Sequence, residues 1–162
     1  MSTNNQCALI TGATSGIGYE LAKLFAANNY NLVIVARSQR ELDTTANELK
    51  QQYDINVTSF AKDLFKQDSA FELCDELKEN DTRIDVLVND AGQGYYGKFV
   101  DTNIYRELDI INLNIASLVI LTKHVLKEMV ERGDGKILNL SSIAGKLPGP
   151  YQRRAGTCAK TY

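Results

Sequence analysis

The sequence predicts an α/β fold, a doubly wound parallel sheet of five strands in a three-layer α/β/α arrangement. Short apolar runs alternate with longer segments of helical period, which is typical of parallel strands joined by crossover helices. A glycine-rich turn follows the first apolar run, at a position where such sheets bind ligands. With 162 residues, 44% hydrophobic and 23% charged, the chain has the length and composition of one globular domain.

Five short apolar runs are predicted as strands because they are bounded by turn-forming or polar residues. In chain order they are Cys7–Ile10, Asn31–Val35, Val57–Phe60, Val86–Val88 and Lys136–Leu140. The intervening segments have the length and periodicity of helices, so each strand should run parallel to the one before it.

Several helices carry their own start signals. Ser38–Glu41 and Ser69–Glu72 match the capping box, in which Ser and Glu each satisfy a free backbone N–H group. A longer helix that ends near Gly133 should bury a stripe of side chains, namely Leu118, Leu121, Val125 and Met129. The single histidine, His124, lies beside this stripe, and we expect it to pack on the helix surface rather than bind a ligand.

Charge balance and rare residue types exclude several function classes. The chain has 18 Lys and Arg against 20 Asp and Glu, a net charge of −2 that gives no general attraction to nucleic acid or anionic lipid. One histidine disfavours multi-histidine metal sites and Ser-His-Asp triads. Cys7, Cys74 and Cys158 form no CxxC pair, which favours reduced thiols over a disulfide framework.

The N-terminal segment and the apolar runs carry no targeting signal. Residues 1–6 have neither the basic nor the apolar region of a signal peptide. The longest apolar runs are far shorter than the roughly 20 residues that span a bilayer. We therefore expect a cytoplasmic protein with no membrane segment.

The glycine-rich turn is the first segment that carries chemistry. Gly12 permits a tight exit from the strand, Gly16 lets a phosphate approach the backbone, and Gly18 lets the helix pack on the sheet. The helix N-terminus adds free N–H groups and a positive dipole end, so we expect an anion there. The spacing lacks the GK[ST] of a P-loop, which disfavours ATP and GTP hydrolysis.

Several motifs, in this order and spacing, resemble the short-chain dehydrogenase/reductases, which have a Rossmann-like fold. The resemblance rests on residues 11–18, 89–92, Asn114 and 135–145. It implies an oxidoreductase that binds NAD(H) or NADP(H) and moves hydride to or from a small-molecule carbonyl or alcohol. The cofactor-binding residues of the turn would then be Gly12, Thr14, Ser15, Gly16, Ile17 and Gly18.

The end of the second strand favours NADP(H), with NAD(H) as the weaker alternative. The adenosine ribose lies there in a doubly wound sheet, and a carboxylate would accept from its 2′-hydroxyl but repel a 2′-phosphate. Residues 35–38 contain no acid, and the Arg37 guanidinium can fork onto a phosphate. The other interpretation of Arg37 is an ordinary solvated residue at a helix start.

The resemblance implies further cofactor contacts after the third and fourth strands. Asp63 and Leu64 match the family's adenine-contacting pair, in which the carboxylate accepts from the exocyclic amine. In the family's NNAG segment the asparagine ties strand ends together, while the small residues let the cofactor lie close. The matching residues are Asn89, Ala91 and Gly92. Asp90 departs from this segment, and we expect a changed local hydrogen bond.

Carbonyl reduction also needs an acid that protonates the developing alkoxide. By resemblance, the family uses a tyrosine whose pKa is lowered by a lysine four residues later, a serine that polarises the carbonyl, and an asparagine that supports a water relay. Asn114 and Ser142 match that asparagine and serine, although Ser142 could also make only a local turn. The family spacing puts the tyrosine at Ala155 and the lysine at Ala159, so both are missing.

No shift of register restores the pair. The one Tyr-x-x-x-Lys in the chain, Tyr19–Lys23, should lie on the adenosine side, so we treat it as coincidental. Residues 153–162 lose the apolar periodicity, which suggests a shifted reading frame and a premature end. Translation of the neighbouring frames beyond codon 152 tests this hypothesis. The predicted organisation is an incomplete NAD(P)-binding domain over 1–152 and a non-family tail over 153–162.

Three functional interpretations stay open from sequence. The first is an NADP(H)-dependent oxidoreductase, the second a dinucleotide-binding fragment or pseudoenzyme without turnover, and the third an interaction protein that binds no nucleotide. We expect marginal stability, because the fifth strand would be an edge strand in a sheet built for burial on both faces. The apolar stripe of the long helix could pack against a second copy, giving a homo-oligomer, or it could equally face its own sheet.

Overall fold

The structure is a computed structural model that describes residues 6–142, in which five strands alternate with α-helices. The strands are β1 Cys7–Thr11, β2 Asn31–Ala36, β3 Val57–Ala61, β4 Val86–Asn89 and β5 Lys136–Asn139. The helices are α1 Gly16–Ala27, α2 Gln39–Tyr53, α3 Ser69–Glu79, α4 Ile104–Ile111 and α5 Ser117–Arg132. A 3₁₀ turn, Phe99–Asp101, precedes α4, and a π-helical segment, Asn112–Ala116, joins α4 to α5.

The five strands form one parallel sheet in the order β3-β2-β1-β4-β5. Leu9 of β1 is in register with Val33 of β2 on one side and with Leu87 of β4 on the other. The strand order reverses beside β1, which creates a crevice at the carboxyl ends of β1 and β4. The predicted doubly wound parallel sheet is confirmed.

The sheet separates two hydrophobic layers. Successive side chains of a strand point to opposite faces, so Leu9 joins the core under α3 and α5, while Ala8 and Ile10 join the core under α1 and α2. All three side chains are fully buried. Because the central strand is covered on both faces, it holds the turn that follows it in a fixed position.

β5 pairs only with β4 among the strands that the structure describes. Leu138 of β5 is 42% exposed, whereas Leu87 of β4 is fully buried. Within residues 6–142, β5 is therefore an edge strand, as the sequence predicts. The marginal stability expected from that edge stays a prediction.

The capping box predicted at Ser38–Glu41 is confirmed for its serine half, and the one predicted at Ser69–Glu72 is wrong. Ser38 caps α2, since its hydroxyl accepts a hydrogen bond from the Glu41 N–H at 3.3 Å. In α3 the N-cap is Asp68, and its own φ of −86° and ψ of −18° are helical. Ser69 therefore lies inside the first turn and is buried, while the Glu72 N–H donates to the Asp68 carbonyl at 3.0 Å.

The stripe predicted on the long helix is largely present. Leu121, Val125 and Met129 of α5 are buried against the sheet, whereas Leu118 and His124 are half-buried. The prediction therefore placed the core-facing side of this helix correctly along most of its length.

The continuous helical stretch Ile104–Arg132 qualifies the expectation about membrane segments. Its 29 residues contain a window with mean hydropathy 1.4, so by length and composition alone it could cross a bilayer. The sequence did not predict this stretch as a membrane segment, because scattered polar residues interrupt its apolar runs. Only 28% of that window is buried. The buried side of α5, however, packs on the sheet, so the length and hydropathy of this helix are weak evidence for a membrane span.

Candidate functional site

A cleft of about 760 Å³ opens at the carboxyl ends of β1, β2 and β4. Its walls come from the glycine-rich turn, the end of β2, the segment after β3 and the segment after β4. This is the crevice where open α/β sheets bind ligands. It brings together most of the predicted cofactor residues, namely Gly12, Thr14, Ser15, Gly16, Ile17, Arg37, Leu64, Ala91 and Gly92.

The three glycines of the turn have different surroundings. A Cβ on Gly18 would lie 2.4 Å from the Gly12 carbonyl oxygen, so only glycine fits there. A Cβ on Gly16 would meet no atom within 4 Å, and its φ of +58° favours glycine. Gly18 therefore serves the packing of α1 against the turn, whereas Gly16 presents bare backbone to the cleft.

The N-terminus of α1 lies at the same end of the cleft. Ser15, its N-cap, has extended backbone angles and makes no side-chain capping bond, and the first turn of the helix contains no acidic residue. The free N–H groups and the positive dipole end are thus not offset by a side chain of that turn. An anionic ligand would interact favourably with them.

Three predicted cofactor residues lie outside the cleft lining. Gly18 is buried behind the turn, and the Asp63 carboxylate accepts from the Phe65 N–H at 3.3 Å. Asn89 donates from Nδ2 to Asn139 Oδ1 at 2.9 Å and to Thr122 Oγ1 at 3.0 Å. Asn89 thus links β4, β5 and α5, while the adenine contact of Asp63 stays a prediction.

Arg37 extends from the end of β2 over an aromatic ring that the sequence analysis missed. Its guanidinium carbon lies 5.3 Å from the centroid of Phe65, and that of Arg106 from α4 lies 4.5 Å from the same centroid. Arg106 also donates to Gln93 Oε1 at 2.8 Å. Two cations from distant parts of the sequence therefore converge on a buried ring that lines the cleft.

The cleft also contains charged residues that were not predicted as site residues. Glu41 accepts from the Thr14 hydroxyl at 3.4 Å, so a carboxylate does lie near the β2 end, although not in residues 35–38. Lys62 Nζ pairs with Glu72 at 2.9 Å and Glu76 at 2.7 Å. Burial lowers the pKa of Lys62, but its hydrogen bonds to the two glutamates outweigh this effect and raise the pKa above its usual value.

Asn114 lies in the π-helical segment and is only 2% exposed. Its Oδ1 accepts from the Gln93 N–H at 3.0 Å, and its Nδ2 donates to the Gln93 carbonyl at 2.9 Å. Asn114 therefore holds the cleft-lining backbone after β4. π-helical turns are often found at functional sites. Ser142 is exposed beyond β5, and the positions of Ala155 and Ala159 lie outside the described residues.

The Tyr19–Lys23 pair does not resemble a proton donor. The Tyr19 hydroxyl donates to Glu48 at 2.5 Å, and this bond is the main reason why the pKa of Tyr19 is raised to about 12. Lys23 lies 5.3 Å from the Tyr19 ring centroid but pairs with Glu20 at 3.2 Å. A catalytic tyrosine needs a lowered pKa, so the shift has the wrong sign.

Comparison with known proteins decides the family. The sequence pattern described as short chain dehydrogenase matches residues 6–157. The chain belongs to the short-chain dehydrogenase family. The resemblance drawn from the glycine-rich turn and the later motifs is thus confirmed, and the family is one of oxidoreductases.

Relatives in this family align over most of the chain. A dehydrogenase/reductase SDR family member 7B from Danio rerio is 31% identical over 91% of this chain and 50% of its own length. A very-long-chain 3-oxoacyl-CoA reductase from Homo sapiens is 35% identical over 88% of this chain and 46% of its own length. The chain therefore spans about half the length of these curated relatives.

A solved structure shows the same fold with a cofactor. The short-chain dehydrogenase from Sphingobium yanoikuyae in complex with NADPH has a TM-score of 0.88 and is 33% identical. The alignment covers 96% of this chain and 60% of that one. The Rossmann-like α/β fold is thus shared with a family member that binds NADPH.

Proposed function

We propose that the cleft binds NADP(H), and that the chain is the cofactor-binding part of an oxidoreductase acting on a carbonyl or alcohol substrate. The observation that carries the proposal is that the glycine-rich turn and Arg37 line one cleft of about 760 Å³. One end of that cleft suits a pyrophosphate and the other suits a phosphorylated ribose.

The turn provides the pyrophosphate end. Gly16 leaves open space where a side chain would otherwise stand, and the uncapped N-terminus of α1 begins at the same residue. Backbone N–H groups at a helix start bind phosphate without needing a basic side chain. Ala91 and Gly92 form the facing wall with little side-chain bulk, which supports close approach of a flat or extended ligand.

The β2 end provides a cation that favours a 2′-phosphate. Arg37 lines the cleft there, whereas the charge of Lys62 is already offset by Glu72 and Glu76. Glu41 opposes Arg37, but its contact with Thr14 places it on the side of the glycine-rich turn. The NADPH complex of the Sphingobium relative further supports NADP(H) over NAD(H). An arginine fork is the best side-chain partner for a phosphate group.

Reduction chemistry makes separate demands on the protein. A bound nicotinamide would supply or take up the hydride, while the protein must orient the substrate and move a proton. Asn114 is proposed to support the water relay that carries this proton, and Ser142 to polarise the substrate carbonyl. The positions expected for the tyrosine and lysine hold Ala155 and Ala159. We therefore propose that this 162-residue chain binds NADP(H) without catalysing turnover.

Two measurements test this function. NADPH fluorescence is titrated with the chain, and NADPH oxidation is then followed with a panel of ketones, aldehydes and 3-oxoacyl thioesters. We expect saturable binding and no oxidation above the protein-free rate. Oxidation by the unaltered chain would contradict the proposed loss of turnover, whereas folded protein that binds no dinucleotide would contradict the function itself.

A matched variant separates the missing pair from other causes of inactivity. Ala155→Tyr with Ala159→Lys restores the two side chains in a chain of the same length. Turnover in this double variant, with none in either single variant, would assign the inactivity to the pair alone. If the double variant stays inactive, the proton donor needs more of the fold than these two side chains.

A further inference from the structure

Two arginines from different parts of the fold share the ring of Phe65. The guanidinium carbon of Arg37, at the end of β2, lies 5.3 Å from the ring centroid, and that of Arg106, in α4, lies 4.5 Å from it. Both distances are within the roughly 6 Å over which a cation is attracted to an aromatic face. Phe65 is only 8% exposed, so its ring is a fixed surface that both cations contact.

The two arginines differ in how firmly they are held. Arg106 donates to Gln93 Oε1 at 2.8 Å and lies 4.0 Å from Asp109, so its guanidinium has an amide oxygen and a carboxylate as further partners. Arg37 contacts the Phe65 ring and, within residues 6–142, makes no hydrogen bond or ion pair. Arg106 is therefore the anchored cation of the pair, and Arg37 is the adjustable one.

The groups that anchor Arg106 are themselves held by one helical segment. The backbone of Gln93 bonds the side chain of Asn114, at 3.0 Å through its N–H and at 2.9 Å through its carbonyl. Asn112 Nδ2 donates to the Phe65 carbonyl at 3.2 Å. Both asparagines belong to the π-helical segment that continues α4. The ring, the amide and Arg106 are thus joined to the same stretch of helix.

The cleft lies on the side of Arg37. Arg37 and Phe65 line it, whereas Arg106 is not among the lining residues. Two guanidinium groups repel each other, so an anchored Arg106 opposes movement of Arg37 across the ring and away from the cleft. Arg37 is thus restricted to positions from which its fork of donors faces the cleft.

We propose that Arg106 is a positioning residue for NADP(H) selectivity, because it restricts Arg37 to the cleft side of the Phe65 ring. The inference rests on the proposed function of the cleft, in which Arg37 binds the 2′-phosphate. A side chain that is restricted before binding loses less conformational entropy when its ligand arrives. Arg106 therefore raises the affinity for NADPH, with little effect on NADH, and does so without contacting the cofactor.

The test measures NADPH and NADH binding by the wild-type chain and by Arg106→Met, which removes the charge but keeps an unbranched side chain. We expect NADPH affinity to fall about threefold to tenfold and NADH affinity to stay within about twofold of wild type. Lys127→Met, which removes an exposed cation from α5, is the matched control and should leave both affinities unchanged. Equal losses for the two cofactors would overturn the proposal, because the effect would then not depend on the 2′-phosphate.

A double-mutant cycle shows whether the effect passes through Arg37. In an Arg37→Ala background, Arg106→Met should change NADPH affinity by less than about twofold, since the side chain that Arg106 restricts is absent. If the full loss persists in that background, Arg106 acts on the phosphate directly through its charge, and the positioning role is wrong.

The remaining outcomes also decide the question. Unchanged NADPH affinity in Arg106→Met overturns the inference, because Arg37 then needs no anchored neighbour. If that variant does not fold, Arg106→Gln removes the same charge and is judged by the same criterion. If the folded wild-type chain binds neither cofactor, the proposed function fails and the inference fails with it. A wild-type chain that prefers NADPH, beside an Arg106 variant with the same preference, refutes the role of Arg106 alone.

Discussion

Asn89 of β4 donates a hydrogen bond from Nδ2 to Oδ1 of Asn139 in β5, at 2.9 Å. Asn89 is only 3% exposed, and its amide also reaches Thr122 of α5 at 3.0 Å. This bond lies at the carboxyl end of the sheet, immediately before the loop that lines the cleft. It couples the edge strand to the site, so the two should lose their order together.

Replacing Asn89 tests that coupling. Asn89→Ala removes a buried donor and leaves the Asn139 oxygen without this partner, which should lower the free energy of unfolding by about 1–3 kcal/mol. Urea unfolding followed by far-ultraviolet circular dichroism measures the loss. Asn47→Ala, at an exposed position of α2, is the matched control. A midpoint for Asn89→Ala equal to that of the control would contradict the structural role of this bond.

The glycines of the turn should respond differently to the same added methyl group. Gly18→Ala places a Cβ 2.4 Å from backbone, so we expect a loss of at least about 2 kcal/mol in unfolding free energy or no folded protein. Gly16→Ala meets no atom and should cost about 1 kcal/mol from its positive φ. Urea unfolding of both variants measures the difference, and equal destabilisation would contradict the assigned surroundings.

Gly16→Ala should also weaken NADPH binding, because the methyl group would occupy the space proposed for a phosphate. Gly133→Ala is a strict control, since Gly133 has a φ of +72°, open surroundings and a position at the far end of α5. Both variants should lose similar stability, but only Gly16→Ala should lose affinity in a fluorescence titration. A loss of affinity in both would indicate that backbone strain alone is responsible.

Arg37 should determine the preference for the phosphorylated cofactor. Arg37→Ala removes the fork proposed for the 2′-phosphate, so NADPH affinity should fall by about tenfold to a hundredfold while NADH affinity changes little. Arg40→Ala, an exposed arginine of α2, should leave both affinities unchanged. Parallel titrations with the two cofactors check this prediction. A similar loss for NADPH and NADH would assign Arg37 to the shared part of the cofactor.

Cys7 should make the stability of the protein depend on alkaline pH. Burial, and to a lesser extent the charge of Asp85, raises the pKa of Cys7 from 9.0 to about 12. The unfolded chain therefore loses this proton first, and the contribution to stability that is present below pH 9 is lost as the pH rises toward 12. Urea unfolding between these values should show a smaller decline for Cys7→Ala than for wild type. If the unfolding free energies of the two proteins fell equally with pH, this role of Cys7 would be contradicted.

The strands and the glycine-rich turn could be predicted because their signals are local. The run Asn31–Val35 is apolar after its first residue, and it forms β2 with one added residue. Gly12, Gly16 and Gly18 are recognisable because their spacing lies within one short segment that follows a strand. The strand order β3-β2-β1-β4-β5 comes from the structure, and it is consistent with the doubly wound sheet that was predicted.

The missed features depend on contacts between distant segments. Arg37 and Arg106 both contact the Phe65 ring, although they are far apart in sequence and no local pattern indicates this contact. Glu41 was interpreted as a capping residue, and its second position beside Thr14 becomes visible only in three dimensions. The Ser69 cap was wrong because the backbone of Asp68 is already helical, so the helix begins one residue earlier than the capping pattern indicates.

The direct comparison of NADPH and NADH binding to the unaltered chain tests the central claim, a cleft for a phosphorylated dinucleotide. Calorimetric titration with each cofactor, beside a urea melt that establishes folding, gives the two dissociation constants. The account predicts saturable binding of NADPH at least about tenfold tighter than that of NADH. Folded protein that binds neither cofactor, or that binds NADH as tightly as NADPH, would contradict it.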